Sequence, residues 1–556
     1  MMRCIFTRSL VLTEDSRENI GKRGSVLADI LLVYPKAGHD VRGVSVIAPL
    51  AMLTLAGHLQ RDFSVKILDH RASDDFENSL AKELAQKPLL VGLSSMTGTQ
   101  IFHALEINKK VKELSPETPV VWGGMHPTLY PAQTVIKPYI DFVIRGEGEV
   151  AITQLARLLA DKKTNFETVA GLHWKRGEQI CSTPLGEPLD LNESARLPWE
   201  LVDVEEYTSP TIFLYPGVRR VLPYQGSRGC PFKCTFCSEP VLTKKYRMMN
   251  PEKMVQECFE MVERFHLDHI AFFDEEFFVN RKWATRVAEI INGRFTWWAQ
   301  TRAADLLKVD LKLMEKCGMH VVAPGLESGS DRILKYIKKG EKVSEYVEAN
   351  HRLAETNIHV QYNFIIGFPT ETLSELNQTI DLVLKLLKEN PNAVVNQLSP
   401  LTPLPGTELL RQVIENFGFK EPERLEDWIQ MTRGKQERSW LDKNSLRRVR
   451  FLYYTSYFLC TAERYSQKFK IPQWVFKFYS KTVRWRWEKK WFWLDQEVLA
   501  LRLLFRFFVN PVDYLKDPHF GDAHTAKESS ALSVPVKLES LSPTEKKNFI
   551  PELATS

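Results

Sequence analysis

Between residues 29 and 160, short apolar runs alternate with stretches whose apolar positions recur every three or four residues. DILLVYP (29–35), VKILD (65–69), LLVGLSS (89–95), PVVWGG (119–124) and YIDFVIRGEGE (139–149) read as strands; APLAMLTLAGHL (48–59), FENSLAKELAQ (76–86), 99–114 and 150–160 read as helices. Strands of continuous apolar character joined by amphipathic helices predict a parallel, doubly wound α/β sheet. Its ligands belong beyond the carboxyl ends of the strands. A second βα series starts near 219, with strand candidates at 220–227, 269–277, 296–303, 320–328, 360–368 and 394–400. Six such units predict a partial or full (β/α) barrel with its functional groups at the strands' C-terminal ends.

The segments around these series read differently. Residues 161–218 look like a connector, with one short strand (VAGLHWKR) and a Pro- and charge-rich passage. Residues 443–508 hold 15 Lys/Arg against 4 Asp/Glu, interleaved with 19 aromatics, so this stretch is set apart as a basic, aromatic helical region. The last residues are polar and Ser/Glu/Lys-rich and read as disordered. The expected division is an N-terminal extension (1–28), a doubly wound domain (29–160), a connector (161–218), a barrel (219–430), a helical domain (431–516) and a tail (517–556).

Composition narrows the picture only slightly. A chain of 556 residues with 44% hydrophobic and 26% charged residues has the balance of an ordinary globular protein. A net charge of +5 implies no whole-protein field for nucleic acid, and no nucleic-acid partner is expected. Eight cysteines are too sparse for a disulfide framework and fit a reducing cytosol. The N-terminus lacks a signal-peptide core, and no apolar run is long enough to span a bilayer.

The chemistry concentrates at GSRGCPFKCTFCSEP (226–240), where Cys230, Cys234 and Cys237 stand as CxxxCxxC. Thiolates are soft ligands for iron–sulfur clusters and for zinc. Structural zinc asks for a closed set of four ligands, and no second cysteine pair or nearby His completes one. A [4Fe–4S] cluster held by three local thiolates keeps one iron open for another ligand. Cys4, Cys181, Cys258, Cys317 and Cys460 are scattered and read as small buried hydrophobes.

The triplet, with Phe236 as the aromatic before its last cysteine, resembles the radical SAM signature CxxxCxΦC, and the resemblance extends over roughly 219–410. It implies a cluster whose open iron chelates S-adenosylmethionine (SAM) and splits it to methionine and a 5′-deoxyadenosyl radical. DEEFF (274–278) resembles the second-strand segment that meets the SAM amino group, which brings in Asp274 and Glu275. Arg302, in TRA, is placed to pair with the SAM carboxylate. GLESGS (325–330) resembles the GxESG segment, with Glu327 toward the ribose or methionine end and Ser328 beside it. FIIGFPTET (364–372) resembles the adenine-cradling segment, with Gly367 and Pro369. LTPLPGTEL (401–409) resembles the sixth-strand Pro-Gly-Thr segment.

The first domain has no GxGxxG after DILLVYP, which argues against a dinucleotide. PLAMLTLAGHL, LVGLSSMTGTQ, VVWGGMHPTLYP and DFVIRGEGE instead resemble the Rossmann-like cobalamin (B12)-binding domain of the radical SAM class that carries one. The resemblance implies cobalamin contacts from Ser94, Ser95, Thr97, His126 and Thr128, with Gly123 and Gly124 allowing close backbone approach. Cobalamin domains that ligate cobalt use DxHxxG after the first strand. Here the loop reads PKAGHDVRG, with Ala37 in place of the Asp and the Gly late, at Gly43. His39 is therefore expected not to ligate cobalt, because the carboxylate that fixes such a His is missing.

Taken together, these motifs lead to the expectation of a cobalamin-dependent radical SAM methyltransferase acting on an unactivated carbon. In that chemistry one SAM supplies methyl through cobalamin and a second supplies the radical. A non-methylating cyclase or rearrangement enzyme uses the same parts, and a non-catalytic corrinoid or cluster carrier is the alternative outside enzymes. Expected partners are a small-molecule substrate of hydrophobic kind and an electron donor such as flavodoxin or ferredoxin. Residues 443–508 read as a helical cap on the barrel, with peripheral membrane contact as the second reading.

Overall fold

The computed structural model describes residues 28–492, apart from 39, 41, 44, 209–214, 244, 397, 432–437 and 461–472. The expectations for His39, for the N-terminal extension up to residue 27, for the end of the aromatic region and for the tail fall on residues outside those described.

Among the described residues, two seven-stranded sheets dominate. The first holds β1 (Ile30–Tyr34), β2 (Val65–Asp69), β3 (Leu90–Ser94), β4 (Val120–Gly123) and β5 (Phe142–Ile144) in the parallel order β2-β1-β3-β4-β5. Ile30 and Leu32 pack into one apolar cluster while Leu31 and Val33 pack into another, so both faces of β1 are covered. That explains why these strands read as continuous apolar runs. Strand order reverses between β1 and β3, which places a crevice beyond their carboxyl ends. The short strand of the connector forms, but not as a free linker. β6 (Leu172–Arg176) and β7 (Gln179–Ser182) make a hairpin that pairs antiparallel with β5 and extends the first sheet.

The second sheet is the barrel. It runs β15 (Ala393–Val395), β14 (His359–Ile366), β13 (Met319–Glu327), β12 (Thr296–Thr301), β11 (His269–Phe272), β8 (Val221–Tyr224), with β16 (Ser399–Pro400) paired to β14. All pairings are parallel, and none joins β8 to β15 among the described residues, so the barrel is partial. A ribbon of β9 (Ser227–Arg228) and β10 (Arg247–Met248) frames the cysteine loop. The outer helices start on side-chain caps as their sequences dictate. Asn250, Asn280, Asp310, Thr372 and Thr407 each accept a hydrogen bond from a first-turn N–H.

Past the last strand the chain returns to the first domain. Leu410, Val413, Leu425 and Trp428 join the outer apolar cluster of Leu31, Ile101 and Trp122. Trp428 is fully buried and donates to Gln133 Oε1 at 2.8 Å; Lys137 Nζ lies 2.5 Å from Glu426 Oε1. The helix Lys443–Cys460 lies against β15 and β16, with Ser456 Oγ accepting from Leu398 N at 3.0 Å. The helix Gln473–Glu488 packs on it, with Trp487 Nε1 donating to Thr455 Oγ1 at 3.1 Å. Trp428→Ala is expected to cost about 3–5 kcal/mol and to expose 418–431 to limited proteolysis, both read from denaturant titration and peptide mapping.

Candidate functional site

The cysteine loop is pinned from three sides. Gly229 sits at φ +89°, and a Cβ there would lie 2.9 Å from Lys245 O, so only glycine fits at the entry. Thr235 N donates to Ile337 O at 2.9 Å, and Leu409 N donates to Thr235 O at 2.9 Å. Cys237 N closes a turn on Cys234 O at 3.1 Å, and Glu239 N donates to Cys237 Sγ at 3.4 Å. The three thiols are half-buried, and burial pushes Cys230 up to about 12 and Cys237 up to about 11, with Cys234 raised as well. They stay protonated until a metal takes the proton's place. Among the described residues no three His, Cys, Asp or Glu side chains are grouped to hold a single metal ion. A cluster asks instead for one thiolate on each of three irons, a demand this donor set fits.

Charged side chains ring the loop. Arg302 stacks on Phe232, between Cys230 and Cys234, with 3.7 Å from guanidinium carbon to ring centroid. Its Nη2 donates to Lys339 O (2.7 Å) and Gly340 O (3.1 Å). Lys339 Nζ is buried 3.1 Å from Glu327 Oε1 and 3.6 Å from Glu341 Oε2. Burial works against its charge, yet the two carboxylates raise its pKa above the ordinary value. Glu327 is held at φ +65°, a left-handed conformation that costs a side-chain-bearing residue about 1–3 kcal/mol and is concentrated at functional sites.

The three acids of DEEFF point to different places. Asp274 is fully buried behind the loop, with Oδ2 3.4 Å from Gly226 N and Oδ1 unpartnered, and burial lifts it to about 6. Glu275 accepts from Gly229 N and Gln225 Nε2, both at 3.2 Å, and sits at the loop itself. Glu276 is buried, accepts from Thr301 Oγ1 at 2.6 Å, and is raised to about 8 by burial. Glu276, Phe232, Lys339 and Glu341 were missed in the sequence. IKKGEK (337–342) carries no motif that singles it out, yet Lys339 and Glu341 are buried.

Other expected contacts lie further from the loop. Phe236 is half-buried against the main core. Ser328 is fully buried, 3.4 Å from Thr379 Oγ1 on the helix Leu373–Glu389. Gly367 (φ +79°) gives its N–H to Glu371 Oε2 at 2.7 Å, and its carbonyl accepts from Trp440 Nε1 at 2.8 Å. Pro369 is buried beside it. Both backbone groups of Gly367 are therefore already used within the chain.

At the carboxyl edge of the first sheet, Ser94, Thr97, Gly123 and Gly124 stay partly exposed, while Ser95, His126 and Thr128 are buried. Gly124 is at φ +95°, and a Cβ there would fall 2.7 Å from Ser94 Oγ. Thr128 Oγ1 donates to Gly124 O at 2.7 Å and accepts from Gly146 N at 3.0 Å, fixing the loop from inside. His126 packs on Tyr130 and Trp428, with Nδ1 3.0 Å from Thr97 Oγ1, and burial lowers its pKa to about 3. A glycine edge with no Cβ, backed by hydroxyls, fits the flat approach a corrin requires.

This edge meets the cysteine loop. Met125, next to Gly124, has its Sδ 3.8 Å from Ser238 Oγ, next to Cys237. Arg228 lies 3.0 Å from Glu147 and 2.7 Å from Glu149, and Arg247 also pairs with Glu147. Burial alone would raise Glu149, but the Arg228 charge brings it below the usual carboxylate range.

The radical SAM superfamily profile matches residues 224–383, and the B12 binding domain profile matches residues 42–156. An uncharacterized methyltransferase of Pyrococcus horikoshii is 30% identical over 396 residues, covering 70% of this chain and 83% of that one. The chain belongs to the cobalamin-binding radical SAM enzymes. Another relative of this enzyme is the anaerobic magnesium-protoporphyrin IX monomethyl ester cyclase of Rubrivivax gelatinosus, 27% identical over 415 residues, 70% of this chain and 72% of that one. The fold matches OxsB, a cobalamin-dependent radical SAM enzyme solved with aqua-cobalamin and SAM (TM-score 0.66, 18% identity, 91% of this chain and 75% of that one). It also matches the radical SAM methyltransferase TsrM of Kitasatospora setae, with cobalamin and a [4Fe–4S] cluster (TM-score 0.56, 18% identity, 70% and 75%). The enzyme's cofactors are accordingly a [4Fe–4S] cluster, SAM and cobalamin.

Lys339→Met is expected to lower stability by about 3–5 kcal/mol, because Glu327 would be left buried without a cation and Glu341 with only Arg302, 3.6 Å away. Adding Glu341→Gln should recover part of that loss, as read from denaturation midpoints of the two variants.

Proposed function

We propose that this enzyme transfers a methyl group to an unactivated carbon of a small-molecule substrate. The observation that carries this reading is the likeness to the Pyrococcus horikoshii methyltransferase over 396 residues, and the Met125–Ser238 contact sets the glycine edge of the first domain and the cysteine loop on the one crevice it needs. Bound there, the cofactors supply the methyl group and the radical chemistry. The chain's own part is to hold them and keep water out. Cys230, Cys234 and Cys237 hold the cluster, while Glu275, Arg302 and Glu327 flank it on the SAM side with Phe236, Asp274 and Ser328 packed behind. Gly367 and Pro369 shape the adenine end, and Ser94, Thr97, Gly123 and Gly124 face the corrin, with Ser95, His126 and Thr128 bracing that edge. Electrons come from a reduced flavodoxin or ferredoxin.

Oxidative cyclisation is the second reading, favoured by the Rubrivivax gelatinosus cyclase's likeness over 415 residues. Anaerobically reconstituted enzyme, reduced with dithionite and given CD3-labelled SAM and an extract, is expected to form 5′-deoxyadenosine and a product three mass units heavier than with unlabelled SAM. A new product without label would favour cyclisation. No 5′-deoxyadenosine would leave only a carrier. Cys234→Ala is expected to lose most of its iron and all 5′-deoxyadenosine formation.

No helix among the described residues is long and apolar enough to cross a membrane. The helix Gln473–Glu488 nevertheless leaves Trp474, Phe478 and Trp485 exposed at 70%, 71% and 49%, with Lys477 and Lys481 among them, while Val483 and Trp487 are buried on the opposite side. Tryptophans interleaved with lysines suit an anionic lipid surface, and this face is read as a peripheral membrane contact. Full-length enzyme should float with vesicles containing phosphatidylglycerol more than with phosphatidylcholine alone. The triple variant Trp474→Ala, Phe478→Ala, Trp485→Ala should not float; equal flotation of that variant would remove the contact.

A further inference from the structure

Strand register fixes which side chains enter the barrel. Leu222, Tyr224, Ile270, Phe272, Trp297, Val322, Tyr362 and Phe364 pack outward into the main core. The alternate positions therefore face inward. Pairing sets Pro223 beside Ala271, Ala271 beside Trp298 and Trp298 beside Val321. One step toward the carboxyl ends stand Gln225, Phe273, Gln300, Ala323 and Gln361. Beyond them stand Gly325, Asn363 and Asn396, with Gln300 paired to Ala323 and Gly325 to Asn363. Five of these inward residues are primary amides, where (β/α) barrels are ordinarily filled with branched apolar side chains.

The amides are tied to one another and to the strands. Gln300 Nε2 donates to Asp274 O at 2.9 Å, and Gln225 Nε2 to Phe273 O at 3.3 Å. Tyr215 OH donates to Gln361 Oε1 at 2.8 Å, and Asn396 Nδ2 donates to Asn363 Oδ1 at 3.1 Å. All five remain partly exposed, so they line open space rather than a filled core. These bonds leave Oε1 of Gln225 and Gln300 to accept and Nε2 of Gln361 to donate. Phe273, also partly exposed, adds a flat apolar wall. None of the inward positions between Val221 and Asn396 below the rim is an Asp, Glu, Lys or Arg. The rim cations Arg302 and Lys339 are already engaged by Glu341 and Glu327.

We propose that this amide ring is the substrate-recognition layer, and that it takes an uncharged ring bearing amide or hydroxyl groups. This rests on the reading that the substrate enters the crevice above the cysteine loop. Neutral amides satisfy both donors and acceptors of such a ligand. A carboxylate or phosphate placed there would lose its hydration, and the rim cations Arg302 and Lys339 among the described residues already have carboxylate partners. A layer built to hydrogen-bond its ligand also rejects analogues that lack the group.

Benzamide and benzoate, which share a ring and differ in charge, test this on anaerobically purified full-length enzyme by saturation-transfer NMR. Benzamide is expected to give a signal at least about tenfold stronger than benzoate, and to keep it under saturating SAM. Gln300→Leu combined with Gln361→Leu should remove that signal while iron content and melting temperature show the variant folded. Comparable benzoate binding, no benzamide binding, displacement by SAM, or a signal indifferent to the substitutions would each overturn the proposal. The wild-type comparison needs no variant, so a variant that fails to fold leaves it standing. The test involves no turnover, so its failure is separable from failure to form 5′-deoxyadenosine.

Discussion

The guanidinium of Arg228 ties the two halves of the molecule together at the cysteine loop, as Trp428 and Lys137 tie them further out. It leaves the ribbon that frames the cysteine loop and reaches Glu147 and Glu149, at the carboxyl end of the first sheet. A charge this buried is tolerated only when paired, and leaving either side without its partner is strongly unfavourable. The bridge therefore sets orientation as much as affinity: Met125 and Ser238 meet because Arg228 and Glu149 must. Arg247, from the second strand of the ribbon, adds a further cation on Glu147 and braces the ribbon against twisting.

From that junction downward the barrel is layered by polarity. Around the loop, Arg302, Lys339, Glu327 and Glu341 balance two cations with two carboxylates. Beneath them the amides carry no formal charge, and lower still Tyr215 and Trp298 close the lumen with apolar surface. His269 and His320 stand at the floor, their rings 6.2 Å apart, and burial lowers His269 to about 3, so that it stays neutral there. The rim cations face their own carboxylates, with Glu275 and Glu276 beside them, so little positive field reaches the lumen. The lumen below can discriminate by hydrogen-bond pattern without a competing long-range attraction for anions.

Periodicity made both sheets legible because each strand's burial is dictated by helices on its faces. The cysteine triplet was legible because metal ligation constrains spacing along the chain itself. What the sequence hid was set by contacts remote in sequence. The hairpin 172–182 looked like linker because its partner, β5, lies on the far side of the helix Glu149–Ala160 and its outer strand is half-exposed. Lys339 and Glu341 carry no signal in the sequence, since charged residues beside a glycine are usually solvated; only the fold brings Glu327 and Arg302 over them. His126 looked like a polar contact, yet Trp428, about three hundred residues downstream, packs against its ring.

Methylation and cyclisation share this whole arrangement, and nothing in the cysteine loop or the glycine edge separates them. What differs between such reactions is which substrate atom is presented to the crevice, and for how long. The barrel answers that question with residues outside every cofactor segment. Gln300 and Gln361 come from two different strands and Gln225 directly follows a third, whose end is held by the Phe273 N–Tyr224 O bond, so their spacing is set largely by sheet register. A ligand hydrogen-bonded to all three is held against rotation as well as translation. Orientation of that kind, more than the identity of the radical source, decides which bond of a substrate is broken.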